Sequence, residues 1–325
     1  MMLHNVAIVV IGRNEGKRLK ECLKSCVGKV RHLVYVDSGS TDNSIEVAEG
    51  LGVDIIRLHP ELPFTAARAR NEGFEFLLGQ SEEINFVHFI DGDCVLNDEW
   101  LAHAKSTLSD QEDIAVIHGR LREKEVKKSI YTRLADISWY REPGMNKEFG
   151  GIFTIRSMVF KALEGFNSEL IAGEEPDLFK RLLADGHQII CTDHLMGTHD
   201  FGISNFKEWW GRSVRTGFAY ANSERDEALK NKQLRISFWA LFIPILIVIL
   251  AMSIPNYGAM GLVIYPTQMI RIFLKLNIPY GNYDKLLYAG ACVVDNFPQF
   301  IGVVKYHCSE RVGKKQNIIE YKKKK

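Results

Sequence analysis

Two aspartates, Asp91 and Asp93, follow directly on the apolar run from Ile84 to Ile90. In a strand, side chains two positions apart project to the same face, and ligands of open α/β sheets bind where strands end. A pair of carboxylates at such a point suits Mg²⁺ or Mn²⁺, hard cations that take oxygen ligands and bridge to diphosphate oxygens. Because turns are also rich in aspartate, the pair predicts a metal site only together with its position at a strand end.

A second polar turn runs from Asp37 through Ser38 to Asp42, after the apolar run Leu33–Val36. Its backbone N–H groups can approach a nucleotide, as successive N–H groups of turns do at many phosphate sites. Two such turns, each at the end of a strand, favour a nucleotide and a metal ion at one edge of a sheet.

Three further side chains, Trp209, Arg212 and Arg215, recur at intervals of three residues in a segment predicted to be helical from Asn205 to Ala228. They share one helix face, which could place a guanidinium on a phosphate and an indole against a sugar. A buried aromatic stripe explains the same spacing equally well. His199 has two interpretations as well, since a neutral imidazole can face a diphosphate or a metal or serve only the structure.

The elements that must position these residues alternate between apolar runs and segments of helical periodicity, which predicts an open α/β sheet. We predict strands at Val6–Ile11, Leu33–Val36, Val53–Leu58, Ile84–Ile90 and Ile114–His118, and an extended segment at Gly150–Arg156. We predict helices after a cap at Asn14, at Ser44–Leu51, at Thr65–Leu78, from a cap at Asn97 to Leu108, at Ile130–Tyr140, and at Pro176–Asp185. The last of these begins with proline, which the first turn of a helix tolerates.

The composition is that of an ordinary folded protein: 325 residues, 46% hydrophobic and 25% charged, with a net charge of +1. Only the end of the chain is strongly basic, so we expect no nucleic-acid partner and interpret the tail as a solvated end or a patch for anionic lipid. The six cysteines show no CxxC pair, which favours reduced thiols in the cytosol. The apolar run Val6–Ile11 is too short for a secretory signal, so the catalytic part is expected in the cytosol.

After Arg235 the composition changes, because Ile236–Ile254 contains no charged residue. A span of about 20 apolar residues crosses a bilayer. A second apolar run, Ala259–Ile270, follows a turn, and basic residues flank both runs, so we predict a membrane hairpin around 236–276 with both ends cytosolic. A pair of buried core helices is the alternative. We expect Leu286–Tyr306, which contains Asp295 and Pro298, to be an interfacial or packed helix.

An ordered series of motifs makes the chain similar to glycosyltransferase family 2 over residues 5 to 222. The motifs are Val10-Ile-Gly-Arg-Asn-Glu-Gly16, Val36-Asp-Ser-Gly-Ser-Thr-Asp42, Ala67-Arg-Ala-Arg-Asn71, Ile90-Asp-Gly-Asp93, Gly150-Gly151, Gly165-Phe166, Gly173-Glu-Glu-Pro-Asp-Leu178, His199-Asp-Phe-Gly202 and Trp209-Trp-Gly-Arg-Ser-Val-Arg215. The resemblance implies a GT-A fold, a Rossmann-like, mostly parallel sheet flanked by helices, here followed by a membrane-associated helical segment.

The resemblance also implies roles for the motif residues. Glu175 matches the general base, although Glu174 and Glu175 could merely complement a helix N-terminus. The implied donor-nucleotide residues are Asn14, Glu15, Asp37, Ser38, Asp42, Arg68, Arg70, Asp91 and Gly92. The implied acceptor or phosphate residues are Gly151, Glu174, Trp209, Arg212 and Arg215, and the implied ligands of Mg²⁺ or Mn²⁺ are Asp91, Asp93 and His199.

Together these features predict inverting, metal-dependent sugar transfer from a nucleotide sugar, expected to be a UDP-sugar, to a lipid-linked or glycan acceptor at the cytoplasmic face of a membrane. We expect a catalytic domain over 1–230, with its nucleotide-sugar half at 1–120 and its acceptor half at 121–230, and a membrane hairpin, interfacial helix and basic tail over 231–325. A nucleotidyltransferase of similar fold and a catalytically silent membrane scaffold are the alternatives.

Three departures from the family pattern limit how far the family's residue roles can be assigned to this sequence. Ser38 stands where many relatives have a second aspartate, and Glu175 where they usually have aspartate. The Gln-x-x-Arg-Trp motif of processive synthases is absent from the sequence.

Overall fold

The computed structural model describes residues 2–80, 83–147, 150–170, 173–222, 227–254 and 258–311. By its internal contacts the chain divides into two compact units. The first contains the described residues up to Lys124 and from Trp139 to Phe201, and the second those from Glu125 to Ser138 and from Gly202 onwards. The predicted boundary at residue 230 lies inside the second unit, and the functional division of the chain stays a prediction.

In the first unit, nine strands among the described residues form one mixed sheet. The strands are β1 (Leu3–Gly12), β2 (Val30–Asp37), β3 (Asp54–Arg57), β4 (Phe86–Asp91), β5 (Cys94–Leu96), β6 (Ile114–Glu123), β7 (Gly144–Asn146), β8 (Phe153–Arg156) and β9 (Gln188–His199). Their order is β3-β2-β1-β4-β8-β6-β9-β5, with β7 paired to β9. The strands β3, β2, β1 and β4 are mutually parallel, whereas β8 runs antiparallel to both of its neighbours. The expected α/β fold with a mostly parallel sheet is confirmed.

Strand β1 shows why this sheet is buried on both faces. Val6, Ile8 and Val10 belong to one apolar cluster, and the alternate residues Ala7 and Val9 belong to another. Because successive side chains of a strand point to opposite faces, a continuous apolar run requires cover on both sides. Helices supply that cover on both faces, and this packing fixes the positions of the strand ends.

The helices of the first unit are α1 (Lys17–Cys26), α2 (Ser44–Glu49), α3 (Ala66–Leu78), α4 (Trp100–Asp110), α6 (Ser157–Ala162) and α7 (Glu174–Ala184). Helices α1 and α4 supply residues to one apolar cluster, and α3 and α7 supply residues to the other. The predicted helix at Thr65–Leu78 is confirmed, with Thr65 as its N-cap.

Two predicted caps are wrong. The N-cap of α1 is Gly16, because Asn14 has a positive φ of 54° and its amide oxygen is used by Thr41 N, 2.7 Å away. Asn97 also lies outside its helix, since α4 has Glu99 at the N-cap and the Asn97 amide oxygen instead accepts from Glu99 N. Helix α7 begins at Glu174 rather than Pro176, which places both glutamates inside its first turn.

The second unit is helical in its described residues. Its helices are α5 (Ile130–Trp139, whose last residue belongs to the first unit), α8 (Phe206–Asn222), α9 (Glu227–Ser237), α10 (Ile243–Ser253), α11 (Ile264–Lys275), α12 (Asn282–Val294) and α13 (Asn296–Arg311). A π-helical turn, Phe238–Phe242, joins α9 to α10, and a 3₁₀ turn, Gly258–Val263, precedes α11. Helices α8 and α13 cross at Gly217 and Gly302, where an added Cβ would lie 1.9 Å from Gln299 O and 2.0 Å from Val214 O, respectively.

Two helical stretches of the described chain are long and apolar enough to cross a bilayer, by length and composition alone: Leu229–Ser253 and Asn282–Arg311. Only 11% and 28% of their apolar windows are buried within the chain, so the alternative of a buried core helix does not describe the first one. The second arm of the predicted hairpin is not among them. Helix α11 has 12 residues, about 18 Å of helix, which is too short for a hydrocarbon core of about 30 Å. Residues 255–257 of the turn predicted at Pro255–Gly258 and the basic tail lie outside the described residues.

Candidate active site

The carboxyl ends of three adjacent strands meet at one edge of the sheet. Gly12 at the end of β1 pairs in register with Asp37 at the end of β2, and Ile11 pairs with Asp91 at the end of β4. Neighbouring strands lie about 4.8 Å apart, so Asp37 and Asp91 flank the end of β1 across roughly two strand spacings. The two polar turns therefore lie at one edge of the sheet.

The turn after β2 is organised by the buried carboxylate of Asp37. Its Oδ2 accepts hydrogen bonds from Gly39 N and Ser40 N at 3.0 and 2.8 Å, and its Oδ1 accepts from the Tyr35 hydroxyl at 2.9 Å. Burial and the neighbouring Asp37 charge raise the pKa of Tyr35, which therefore stays a donor. Ser38 N is bonded to Gly12 O at 3.0 Å.

The loop after β1 closes against this turn. Asn14 N donates to Ser40 Oγ at 2.9 Å, and Asp42 Oδ1 accepts from Ser44 N at 3.0 Å at the start of α2. Glu15 is buried and forms an ion pair of 2.7 Å with Arg18. These polar contacts join the first two motifs into one continuous surface at the strand ends.

Beyond β4 the chain makes a tight turn, so Asp93 lies between β4 and β5 and not on the strand with Asp91. This corrects the expectation that both side chains leave one strand. A Cβ on Gly92 would come within 3.2 Å of Ile11 O and 3.3 Å of Glu15 Cγ, so the turn fits tightly against the β1 loop. Asp93 nevertheless remains close enough to raise the pKa of Asp91.

Asp93, Cys94 and His199 hold their potential ligand atoms within 4.8 Å of one another. His199 Nε2 lies 3.7 Å from Asp93 Oδ2, and His199 Nδ1 lies 3.3 Å from Glu123 Oε2. A carboxylate behind a histidine holds its Nδ1 proton and leaves Nε2 free to coordinate, as is usual for metal-bound histidines. Burial raises the pKa of Cys94 well above its usual value, so the thiol stays protonated. An oxygen and an imidazole nitrogen as donors fit Mn²⁺ or Mg²⁺.

Arg70 of α3 connects the strand ends to the start of α7. Its guanidinium, buried to 2% exposure, donates to Asp91 Oδ1 at 3.1 Å, to Glu174 Oε1 at 3.2 Å and to Glu175 Oε1 at 3.4 Å. The three carboxylates raise the pKa of Arg70 despite its burial. Removal of Arg70 would strongly destabilise the protein, because three neighbouring carboxylates would be left without their counter-charge. We call Arg70 with its three carboxylate partners the arginine clamp.

Within the arginine clamp two carboxylates have unusual pKa values. Burial, opposed by Arg70 and reinforced by Glu174, raises the pKa of Glu175 to about 7. Burial also raises the pKa of Asp91 to about 6, again opposed by Arg70 and reinforced by Asp93. A carboxylate that titrates near neutral pH can accept and release a proton under physiological conditions.

Gly151 provides the space in which the arginine clamp forms. A Cβ at this position would lie 2.0 Å from Arg70 Nη2, 2.9 Å from Arg70 Cζ and 2.9 Å from Glu175 Oε1. A side chain therefore cannot be added without moving a guanidinium that three carboxylates hold in place. A Cβ on the adjacent Gly150 would meet nothing within 4 Å.

We therefore expect Gly151→Ala to displace Arg70 and misplace Glu175. Overpacking a buried position costs about 1–3 kcal/mol of unfolding free energy, and a misplacement of about 1 Å near the reacting groups costs ~10²-fold in rate. Thermal unfolding and steady-state transfer should both show the loss, whereas the matched variant Gly150→Ala should behave as wild type. Equal behaviour of the two variants would show that the clamp geometry does not matter.

Other predicted site residues have different surroundings. The Arg68 guanidinium donates to the carbonyls of His59 and Leu62 at 3.0 Å and to Glu72, so it holds the loop before α3. Trp209, Arg212 and Arg215 lie on α8 of the second unit. Trp209 lines an apolar cavity of about 380 Å³ with Tyr131 and Phe206, and Phe206 is 53% exposed.

Sequence reasoning missed Glu123 because the predicted fifth strand stops at His118, whereas β6 continues to Glu123. Glu123 pairs in register with His199 across β6 and β9. The alternation of apolar and polar residues after His118 was the available signal. Reasoning also missed Arg18, whose guanidinium lies 3.9 Å from Asp93 Oδ2 and donates to Asp200 O at 3.2 Å.

Residues 7–164 match Glycosyl transferase family 2. This chain carries a glycosyltransferase family 2 domain. The matched residues include both polar turns, Arg70 and Gly151. Helix α7 and His199 follow the matched residues in the chain. No curated protein matches the chain in sequence.

The chain is also similar in structure to several solved proteins. The mannosyltransferase PcManGT from Pyrobaculum calidifontis, in complex with GDP-Man and Mn²⁺, has a TM-score of 0.55 at 14% identity, over 96% of this chain and 88% of that chain. S. aureus TarS 1–349 has a TM-score of 0.49 at 16% identity, over 95% and 92% of the two chains. Glucosyl-3-phosphoglycerate synthase from Mycobacterium tuberculosis, in complex with Mn²⁺, UDP and phosphoglyceric acid, has a TM-score of 0.46 at 17% identity, over 66% and 76%. The fold is GT-A, and the chain is a glycosyltransferase.

Proposed function

We propose that this glycosyltransferase catalyses inverting, metal-dependent transfer of a sugar from a nucleotide sugar to an acceptor hydroxyl or phosphate. The arginine clamp carries the proposal. It holds Glu175, a carboxylate with a pKa of about 7, beside Asp91 at the strand ends. A general base needs this pKa to be deprotonated and still basic at neutral pH.

Asp93 and His199, with Asp91 beside them, would hold Mg²⁺ or Mn²⁺. Such an ion, when bound, stabilises the negative charge that builds on a departing nucleoside diphosphate. Glu123 keeps the His199 ring in the orientation that turns Nε2 toward Asp93. The hydrogen-bonded turn at Asp37 would bind the base and ribose, with Asn14, Ser38 and Asp42 around it.

For the transfer step, Glu175 takes the proton of an acceptor hydroxyl while that oxygen attacks C1 of the donor sugar. The bond from C1 to the diphosphate breaks in the same displacement, and the diphosphate leaves with the electron pair. Attack opposite the leaving group inverts the anomeric carbon. Arg70 does not transfer a proton; it positions Glu175 and keeps its carboxylate oriented. Holding the two substrates in line supplies much of the rate.

The donor test is a screen of UDP-, GDP- and dTDP-sugars for binding and slow hydrolysis, with and without Mn²⁺. We expect one nucleotide class to bind, and a UDP-sugar is our first expectation, although PcManGT was solved with GDP-Man. A silent scaffold would hydrolyse none of them, and a nucleotidyltransferase would release pyrophosphate from a nucleoside triphosphate instead. Either result would overturn the proposal.

We further propose that the acceptor is lipid-linked, or a growing glycan at a membrane, and that the enzyme works on the cytoplasmic face. Support comes from the stretch Leu229–Ser253, whose most apolar 18 residues have a mean hydropathy of 2.5 and are mostly exposed. Basic residues Lys230, Lys232 and Arg235 lie at its first end, as the positive-inside rule expects for a cytosolic end.

This membrane placement predicts that the full-length chain resists carbonate extraction from membranes and needs detergent to dissolve. A chain that ends near Arg235 should be far more soluble, because it lacks the exposed apolar helices. If the full-length chain is found in the soluble fraction without detergent, the apolar helices are covered by protein and the placement is wrong.

A further inference from the structure

A groove of about 580 Å³ lies between α9 and α13 in the second unit, and none of the residues assigned to the reaction above lines it. Lys230, Gln233, Leu234 and Ser237 of α9 line it at helical spacing, which makes them one face of that helix. The α13 face opposite consists of Phe300, Val303, Val304, His307, Cys308 and Arg311. The volume is in the range of ligand pockets, about 300–1,000 Å³.

The groove is polar at one end and apolar at the other. Lys230 lies near the start of α9, and His307 and Arg311 lie in the last two turns of α13. Phe300 and Val303 come from the preceding turns of α13. The helices are antiparallel, because Arg235 near the end of α9 acts electrostatically on Cys292, which precedes the start of α13. The cationic residues therefore share one end.

No acidic residue is among the described residues that line the groove. Glu310 lies beside it, with an oxygen 3.9 Å from His307 Nδ1, and its side chain is 54% exposed. A surplus of positive charge therefore remains at this end of the groove, next to an apolar floor on which Leu234 is 69% exposed. Such an exposed apolar surface costs free energy in water unless a ligand or a membrane covers it.

We propose that this groove binds one anionic phospholipid of the bilayer, with its phosphate at Lys230, His307 and Arg311 and an acyl chain along Leu234 and Phe300. The positive charge at one end of the groove favours an anionic ligand. Cationic side chains where apolar helices leave a membrane attract anionic lipid headgroups, and both walls belong to the two stretches long and apolar enough to cross a bilayer. The chain's own end, residues 312–325, carries Lys314, Lys315 and Lys322–Lys325, so its charge opposes its insertion here.

The test uses the full-length protein in non-ionic detergent and measures ligand dissociation constants by native mass spectrometry. The probes are dioctanoyl phosphatidylglycerol, dioctanoyl phosphatidylcholine and glycerol 3-phosphate. We expect the anionic lipid to bind about tenfold or more tightly than either of the others, because only it has both the charge and the chains. Tight binding of glycerol 3-phosphate would instead identify a site for free phosphate compounds.

The variant Lys230→Gln/Arg311→Gln should weaken phosphatidylglycerol binding about tenfold or more, since each cation near the surface contributes to the attraction. The matched control Lys275→Gln/Lys285→Gln loses the same charge at residues that do not line the groove, and should bind as wild type. Circular dichroism of each variant checks the helix content. Equal affinity for the two lipids, or equal weakening in both variants, would overturn the proposal and leave only a general charge effect.

Discussion

Glu175→Gln should lower the rate of sugar transfer by ~10²-fold or more, the usual contribution of a positioned general base, while the donor dissociation constant stays unchanged. Glutamine keeps the shape of the side chain and removes its basicity. The nucleotide is expected to bind at the Asp37 turn, which the substitution does not touch. Steady-state kinetics and donor titration measure the two effects separately.

Two neighbouring carboxylates provide controls for this result. Asp177 lies on the same first turn of α7 but pairs with Arg181 at 2.9 Å, so Asp177→Asn should retain transfer. Glu174→Gln should be milder than Glu175→Gln, although it weakens the contact of Glu174 with Arg70. Normal transfer by Glu175→Gln together with a dead Glu174→Gln would show that the base is the neighbouring residue.

The pKa of about 7 gives the same substitution a signature in pH. Wild-type transfer should fall as pH drops through about 7, because Glu175 becomes protonated. Its folded-state pKa lies above the ordinary 4.5, so the folded state retains a proton that the unfolded chain releases. The contribution of Glu175 to stability therefore falls as pH rises from about 4.5 to about 7. Above pH 7, Glu175→Gln should be at least as stable as wild type in thermal unfolding, despite its loss of activity.

Removal of the divalent ion with EDTA should abolish transfer, and Asp93→Ala should abolish it even at high Mn²⁺. Carboxylate and imidazole donors converge at Asp93 and His199, and no other described group of three or more His, Cys, Asp or Glu side chains has its ligand atoms as close together. Mn²⁺ binding, measured by electron paramagnetic resonance, gives a readout that does not depend on activity. We expect Asp93→Ala to lose this binding.

A second variant separates the loss of a metal ligand from the loss of the orientation of His199. Glu123→Gln leaves both ligands in place but weakens the hold on His199, and removing such an outer partner typically lowers metal affinity about 10–100-fold. Asp98→Asn is the matched control, because Asp98 is an exposed carboxylate that pairs with Lys29. Full transfer by the wild-type enzyme in EDTA would remove the metal ion from the mechanism.

Continuous apolar runs predicted the parallel half of the sheet and the turns at its edge, since a strand covered on both faces leaves an unambiguous pattern. Strand β9 was missed because it carries exposed polar residues such as Asp193 and His194 in its middle. Its pairing with β6 joins segments far apart in sequence. Such long-range pairing leaves no local periodicity to read.

The family's motifs single out individual residues such as Asp93 and Glu175, and the roles they assign to these residues stay predictions. The arginine clamp was not predictable, because its four members come from α3, β4 and α7 and meet only in the folded chain. Arg70 was expected to lie near the nucleotide. The residues around it in the sequence do not indicate that its guanidinium instead contacts three carboxylates. Gly151 was identified by its motif, but the reason that it must lack a Cβ is spatial.

The crossing of α8 and α13 has a mechanical consequence. Gly217 and Gly302 bring the two backbones into direct contact, with no side chain between them that could change rotamer and absorb a displacement. Helices in such contact shift together, because a close-packed interior has low compressibility. A displacement of α13 at this crossing would therefore also displace α8, the helix that carries Arg212 and Arg215.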